Sequence, residues 1–232
     1  MSKRKKRKFL TDEEFQILRD YIKNQADLAR KKGASRAVID ELIINMLLIA
    51  GLKANELCSL QIRDTPAIHG ENCICIRNEN QQVIRKVSIS PEFVSLISRF
   101  VAIYRKAAQQ KDPLLQSERG NPISYFSLYC KIKKIETSSG ISPLSPAILR
   151  HTYVMRLYNV EQDLRYVQDQ AGYTNHRSIF PYINPDETIK DLDVPQICEA
   201  CSAQIQQGRG KRIESGQFLC QDCLGYFQRS KS

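Results

Sequence analysis

Polar and apolar positions in the first quarter of the chain recur with the period of amphipathic helices. Thr11 and Glu14 form the capping-box pattern TDEE, which predicts the start of a helix ahead of an amphipathic run. A second helix is predicted over residues 35–50, and because it is apolar on most sides we expect it at the centre of the fold. Gly51 ends this helix, and a short helix is predicted over KANELCSL, residues 53–60.

Residues 65–90 change to the alternation of apolar and polar positions that is typical of strands. The segments ENCICIRN and QQVIRKVSIS predict a pair of strands, with NENQQ as the turn between them. Four later helices are predicted to begin near Ser90, Ser124, Ser145 and Asp163, and the first of them is predicted to extend to about Ala108. The predicted fold class is therefore mainly α with a small antiparallel β-sheet, followed by a small C-terminal module.

The composition fits a folded chain with a strongly basic beginning. Of the 232 residues 42% are hydrophobic, and most of the formal net charge of +10 lies in the run KRKKRK within residues 1–9. We interpret this run as a flexible arm suited to the phosphates of DNA or RNA, although a solubilising tail has the same composition. The longest apolar stretch is too short to span a membrane, and no apolar core follows the arm as in a secretory signal. We expect a cytoplasmic, DNA-associated protein with no membrane partner.

Four of the eight cysteines form two C-x2-C pairs near the end of the chain, with eighteen residues between the pairs. They are Cys198, Cys201, Cys220 and Cys223. This spacing predicts one structural Zn²⁺ ion held by four thiolates. Two redox dithiols or two disulfides are the alternatives, and a reducing cytosol disfavours disulfides.

The other cysteines are scattered among apolar neighbours. Cys58, Cys73, Cys75 and Cys130 are interpreted as small hydrophobic residues of the core. His69 lies beside a turn at Gly70, and the sequence offers it no ligand partner at the spacing of a metal site. We therefore expect no metal site at these residues.

Two segments carry a resemblance to a known family. LRHTYVMRLYNVEQDLRYVQDQAGYTNHRSIFPYIN, residues 149–184, resembles the C-terminal catalytic half of the tyrosine recombinase (phage integrase) family. GLKANELCSLQIRD, residues 51–64, resembles that family's first conserved box, and the predicted strands lie where the family has its hairpin. The resemblance covers about residues 9–184 and implies a catalytic domain over residues 10–184.

The resemblance implies a covalent chemistry that needs no metal or nucleotide cofactor. A tyrosine hydroxyl attacks a DNA phosphodiester to form a 3′-phosphotyrosyl link, and a 5′-hydroxyl later reverses the step. Two arginines stabilise the charge that develops on the phosphoryl oxygens, while a hairpin lysine and two histidine-like positions handle protons. In this sequence Tyr182 matches the nucleophile, and Arg150 matches the arginine of the family's H-x-x-R stretch.

Four positions depart from the family's catalytic set. Lys53 replaces the first arginine, and a lysine keeps the charge but loses the bidentate fork. Ala147 replaces a histidine, and Tyr173 replaces a second histidine with a group that can still donate a hydrogen bond. Asn80 falls at the position of the hairpin lysine, and Arg77, Arg85 and Lys86 are the alternative residues for contact with the same phosphate. These departures predict impaired strand cleavage.

Other roles remain open for the matched residues and for the protein. The alternatives to catalytic roles are that Arg150 pairs with Glu56 or another carboxylate, and that Tyr182 is a packed surface aromatic. For the whole protein, one alternative is an inactive DNA-binding or regulatory relative. Another is a zinc-dependent protein-interaction module on a recombinase-like scaffold.

Basic residues of the arm and the predicted hairpin are expected to contact double-stranded DNA. They are Lys3, Arg4, Lys5, Lys6, Arg7, Lys8, Arg77, Arg85 and Lys86. After an acidic linker, residues 185–197, the module at 198–232 resembles the four-cysteine zinc finger of the DnaK-suppressor and TraR group, and only the zinc fold is carried over. Because family members assemble on DNA, the resemblance also allows a homo-oligomer on DNA.

Overall fold

The computed structural model describes residues 9–117 and 119–174 in full, together with the backbone of four short strands between residues 196 and 220. The chain divides into two compact units, Met1–Pro185 and Asp186–Ser232. In the first unit the elements are α1 Asp12–Lys31, α2 Arg36–Leu48, α3 Ala54–Ser59, a 3₁₀ turn Ile62–Asp64, α4 Pro66–His69, β1 Cys73–Arg77, β2 Val83–Ser88, α5 Pro91–Tyr104, α6 Tyr125–Ser139, α7 Pro146–Glu161 and α8 Leu164–Ala171.

Helix α1 begins at the predicted capping box. The Thr11 hydroxyl accepts the backbone N–H of Glu14, and the Glu14 carboxylate accepts the backbone N–H of Thr11 at 2.9 Å. Both bonds satisfy donors that a helix start leaves unpaired. The apolar stripe of α1, which includes Phe15 and Leu18, is buried and packs on α2.

Helix α2 is the central helix of the first unit, as its apolar sequence predicts. Nine of its thirteen residues are buried, and it contacts α1, α5, α6 and α7. Burial on all sides explains why a helix with so little amphipathicity is stable here. Its buried Glu41 forms an ion pair with Arg30 of α1, so the charge does not remain unpaired in the core.

Strands β1 and β2 form the predicted antiparallel pair. Their register runs from Cys73 opposite Ser88 to Ile76 opposite Arg85, and an irregularity follows between Ile76 and Arg77. Because side chains alternate along a strand, Ile76 faces the core, whereas Cys73 and Cys75 share the opposite face of β1.

The later helices begin where their capping residues predict. The side chains of Ser90, Ser124, Ser145 and Asp163 each accept a backbone N–H of the first helical turn. The prediction for the end of α5 was wrong, because this helix ends at Tyr104 instead of about Ala108. Residues beyond it enter the loop that leads to Pro113, whose carbonyl accepts a hydrogen bond from Arg105.

The second unit contains two short strand pairs among its described residues. Strand β3, Gln196–Ile197, pairs with β4, Gln204–Ile205; strand β5, Gly210–Arg212, pairs with β6, Phe218–Cys220. The zinc site, the basic arm and the linker lie outside the residues whose side chains are described, so the four-part division of the chain stays a prediction. Within the described residues, no helix combines the length and apolarity that a membrane span requires.

Candidate functional site

Arg150 lies on the second turn of α7, where its guanidinium is held between two backbone carbonyls. Its side chain is buried, with 7% of the residue exposed. Nη1 donates to the carbonyl of Gly51, and Nη2 donates to the carbonyl of Ala171 at 2.5 Å. The guanidinium carbon lies 4.8 Å from the centre of the Tyr173 ring. These contacts fix a permanent positive charge in one orientation.

Gly51 is required at the first of these carbonyls for two physical reasons. Its φ of +61° lies in the left-handed region that disfavours other residues. A Cβ at this position would lie 2.0 Å from the ring of Tyr153 on α7. The backbone therefore passes directly over α7, which brings the Gly51 carbonyl to Arg150.

Lys53 follows two residues later and caps α3. Its backbone N–H donates to Glu56 at 2.7 Å, and its half-exposed ammonium lies 4.0 Å from the Glu56 carboxylate. Partial burial lowers the pKa of Lys53, and the positive charges of Arg150 and Arg85 lower it further against the opposing effect of Glu56. The Lys53 ammonium is therefore within electrostatic range of the Arg150 guanidinium.

Glu56 pairs with Arg85, not with Arg150. Arg85 Nη1 and Nη2 donate to the two Glu56 carboxylate oxygens at 2.6 and 3.0 Å, and Arg85 Nε donates to the carbonyl of Gln170 at 3.3 Å. A Cβ at Gly172 would lie 2.4 Å from Arg85 Nη1. Arg85 thus ties the hairpin to α3 and α8. The alternative in which Arg150 pairs with Glu56 was wrong, because Arg85 holds this carboxylate and Arg150 is bound by carbonyls.

Burial alone raises the pKa of Glu56, but the other contacts reverse this effect. The hydrogen bonds and charge of Arg85, the backbone N–H of Lys53 and the charge of Arg150 together lower the pKa of Glu56 below its ordinary value. Glu56 is therefore ionised at neutral pH and balances part of the positive charge that gathers at this site.

An open groove of about 690 Å³ lies beside the turn of the hairpin. Arg77 lines this groove, where Nε donates to Asp64 at 2.5 Å and Nη1 donates to the carbonyl of Gln81 at 2.7 Å. Asn80, at the position of the expected lysine, lines the same groove and is exposed. Lys86 lies on an exposed part of β2 and pairs with Glu71 at 2.6 Å. DNA contact by Arg77, Arg85 and Lys86 stays a prediction.

The two positions where histidines are replaced lie next to Arg150. Tyr173 follows α8, donates its backbone N–H to Gln168 at 3.0 Å and places its ring against the guanidinium. Ala147 is exposed one turn before Arg150 on α7, and its methyl group has no proton to exchange. Of the predicted catalytic residues, the structure brings together Arg150, Lys53 and Tyr173.

The remaining predicted site residues lie outside the described residues. Tyr182, the arm residues Lys3 to Lys8, and Cys198, Cys201 and Cys223 belong to this group. Cys220 ends strand β6, but its side chain is not described. The roles assigned to them stay predictions.

Sequence reasoning missed two features of the described structure. The carbonyls of Gly51 and Ala171 bind Arg150, and backbone acceptors leave no residue-type signal. The interpretation of His69 as having no ligand partner was also wrong, because its ring lies within 4.8 Å of the sulfurs of Cys73 and Cys75. The alternation of β1 contained part of this signal, since residues two apart in a strand share a face.

Comparison with known proteins decides the family. The model of the phage integrase family matches residues 8–188, which is most of the chain. This chain belongs to the phage integrase family. The family's domain therefore includes the described helices, the hairpin and the Arg150 site, together with Tyr182.

Similar proteins agree with this assignment. A tyrosine recombinase of Agathobacter rectalis is 25% identical over 140 residues, which cover 60% of this chain and 45% of the relative. The crystal structure of the XerH site-specific recombinase bound to its difH substrate, in a pre-cleavage complex, is similar with a TM-score of 0.62 and 22% identity; the match covers 76% of this chain and 50% of that chain. The Tn1549 transposon integrase in complex with transposon right end DNA is similar with a TM-score of 0.59 and 20% identity, over 78% of this chain and 63% of that chain.

These matches confirm the expected fold, which is mainly helical with a small antiparallel two-stranded sheet. The chain spans about half the length of the curated relatives that it matches.

Proposed function

We propose that this protein binds double-stranded DNA as a member of the tyrosine recombinase type and cleaves it slowly through Tyr182. The observation that carries the proposal is the fixed Arg150 guanidinium, held by Gly51 and Ala171 with Lys53 nearby. A buried, oriented cation suits the negative charge that develops on a phosphoryl group. The similar Tn1549 integrase structure contains transposon DNA, which supports DNA as the partner.

In the proposed reaction the Tyr182 hydroxyl oxygen attacks the phosphorus of a DNA phosphodiester. The bond from phosphorus to the 5′-oxygen breaks, the strand end leaves as a 5′-hydroxyl, and a 3′-phosphotyrosyl link forms. Tyr182 loses one proton and the leaving 5′-oxygen gains one, so the protons balance in this step. The reverse attack by a 5′-hydroxyl releases Tyr182 and joins the strands.

The neighbours of Arg150 explain why this reaction is slow. Lys53 supplies a point charge in place of a guanidinium fork, so it cannot bind two phosphoryl oxygens in parallel. Ala147 exchanges no proton, and Tyr173 supplies a phenol where the family has an imidazole, the side chain that is best suited to proton transfer at neutral pH. Loss of one oriented donor costs about 10²–10³ in rate, and such losses are not additive.

A nicked suicide substrate tests the proposal. The full chain is incubated with candidate sites from the DNA that flanks its gene, and covalent adducts are separated on denaturing gels. We expect a slowly formed protein–DNA adduct that is absent with Tyr182→Phe, while both proteins bind the same DNA with the same salt sensitivity. An adduct that persists with Tyr182→Phe would overturn the assignment of the nucleophile.

The main competing function is DNA binding without cleavage, as in a regulatory or architectural relative. Ala147 and Asn80 are exposed and replace a histidine and a lysine that handle protons in the family, and this favours the second candidate. Salt-sensitive binding without an adduct at long incubation would support it. Assembly of several copies on DNA and a structural Zn²⁺ ion at the four C-terminal cysteines are further parts of the proposal.

A further inference from the structure

A cluster of histidine and cysteine side chains lies where α4 meets β1. The ligand atoms of His69, Cys73 and Cys75 all lie within 4.8 Å of one another. His69 is the last residue of α4, and Gly70 in the left-handed conformation turns the chain back toward β1. The two cysteines are two residues apart in β1, so both thiols emerge from the same face of the hairpin.

The histidine of this cluster has an unused nitrogen. His69 Nδ1 accepts the backbone N–H of Glu71 at 3.1 Å. His69 Nε2 is buried, and no hydrogen-bond partner for it exists among the described residues. A buried ring nitrogen that has lost water without gaining a partner is unfavourable, and binding an ion there would compensate it.

We propose that His69, Cys73 and Cys75 bind a divalent ion of the Zn²⁺ class, at a site that needs none of the four C-terminal cysteines. Thiolate and imidazole are the ligands that zinc prefers. Zinc bonds of about 2.3 Å to sulfur and 2.0–2.1 Å to nitrogen imply tetrahedral ligand separations of about 3.5–3.8 Å. Side-chain rotations that close about 1 Å therefore bring the three atoms onto one ion.

An ion bound at this cluster displaces the thiol protons of Cys73 and Cys75, because thiolates and not thiols are metal ligands. Loading through Nε2 also moves the ring proton to Nδ1 and releases the Glu71 N–H.

The site has three protein ligands and an open fourth position. Among the described residues, no fourth histidine, cysteine, aspartate or glutamate ligand atom lies within 4.8 Å of all three, although the Glu71 carboxylate accepts a hydrogen bond from Cys73 Sγ at 3.4 Å. A water molecule completes the tetrahedron, so the ion exchanges readily. When bound, it joins the end of α4 to the hairpin whose turn contains Asn80. This proposal is independent of DNA cleavage.

Cobalt binding to the full chain tests the proposal, with Co²⁺ alone as the probe and a reductant present. Cys198→Ser and Cys201→Ser are introduced together first, to remove half of the predicted C-terminal ligands. In this background we expect one equivalent of Co²⁺ with a thiolate-to-cobalt charge-transfer band. The further pair Cys73→Ser and Cys75→Ser should abolish that band.

A matched pair of substitutions controls for the loss of two thiols. Cys58→Ser with Cys130→Ser changes two free cysteines outside the cluster and should keep the band and the stoichiometry. Absence of the band in the background protein, or its survival without Cys73 and Cys75, would overturn the proposal.

His69→Gln provides an independent test if the protein with Cys73→Ser and Cys75→Ser fails to fold. Circular dichroism and thermal melting monitor folding, and His69 is only half-buried, so its replacement disturbs the core least. We expect the Co²⁺ affinity to fall at least about tenfold while the fold is retained. Loss of a residue that only supports a metal ligand already costs about tenfold or more, and His69 is a proposed ligand itself. Unchanged affinity in a folded His69→Gln protein would contradict the proposed ligand set.

Discussion

At the scale of single residues, the two arginines of the site have different functions. Within the described part of the chain, Arg150 donates to the carbonyls of Gly51 and Ala171 and forms no ion pair. Arg85 binds both oxygens of the Glu56 carboxylate and connects the hairpin, α3 and α8. In the proposed function Arg150 is therefore the cation that contacts a phosphate, whereas Arg85 has a structural role beside it.

Glu56→Gln should reduce stability in a manner that depends on pH. The folded-state pKa of Glu56 is lowered, so its stabilising effect is fully present above the unfolded pKa and is lost as pH falls through the folded value. We expect a loss of about 1–3 kcal/mol in the free energy of unfolding near neutral pH. The difference from wild type should shrink as the pH falls below about 4.

Urea unfolding of both proteins over a pH series measures this difference. Glu13→Gln, at an exposed position of α1, controls for the removal of one carboxylate. If the difference in the free energy of unfolding between Glu56→Gln and wild type stays constant as the pH falls below about 4, an ionised Glu56 paired with Arg85 is contradicted.

At the scale of secondary-structure elements, the site depends on how closely the chain after α2 approaches α7. Gly51 permits this approach, because a side chain there would overlap the ring of Tyr153. The same backbone segment supplies one acceptor to Arg150 and leads directly to Lys53. Packing of α2 against α7 therefore places two of the predicted catalytic residues together.

Gly51→Ala should destabilise the protein much more than Gly140→Ala. Both glycines have positive φ, +61° and +74°, so both substitutions share a backbone penalty of about 1–2 kcal/mol. Only Gly51 has a neighbour that a Cβ would overlap, since nothing lies within 4 Å of a Cβ at Gly140. Overpacking adds about 1–3 kcal/mol. Equal losses in urea unfolding would show that the contact with Tyr153 is unimportant.

The elements were predictable from sequence because their signals are local. The capping residues Thr11, Ser145 and Asp163 and the alternation in β1 located the helix starts and the hairpin. Residue types also identified Arg150 as part of a family motif. The carbonyl contacts of Arg150 and the proximity of His69 to β1 depend on tertiary packing, for which this sequence has no local signal.

At the scale of the whole molecule, the arm accounts for most of the net positive charge, because acidic residues balance most of the bases elsewhere in the chain. The arm contributes six bases in a run, whereas the chain of 232 residues has a formal net charge of only +10. Arg85, Arg77 and Lys86 are each paired with a carboxylate in the described structure. Long-range attraction to DNA should therefore come chiefly from the arm.

Deletion of residues 2–8 should reduce the salt dependence of DNA binding. Each phosphate contact contributes about −0.9 to the slope of log K against log salt, so the loss of six contacts would change the slope by about 5. Fluorescence anisotropy over a salt series measures it. A variant with the same arm residues in shuffled order should keep the wild-type slope, and an unchanged slope after deletion would contradict this role of the arm.

Reversing three of the four departures from the family's catalytic set, with Tyr173 kept, tests whether an incomplete site limits cleavage. Lys53→Arg, Asn80→Lys and Ala147→His are combined, and adduct formation on the suicide substrate is timed beside wild type and beside the same triple variant with Tyr182→Phe. We expect the restored protein to form the adduct at least about 10²-fold faster than wild type, and only when Tyr182 is present. Equal rates in wild type and the restored protein would contradict an incomplete site, and no adduct in either protein, with binding intact, would contradict Tyr182 as the nucleophile.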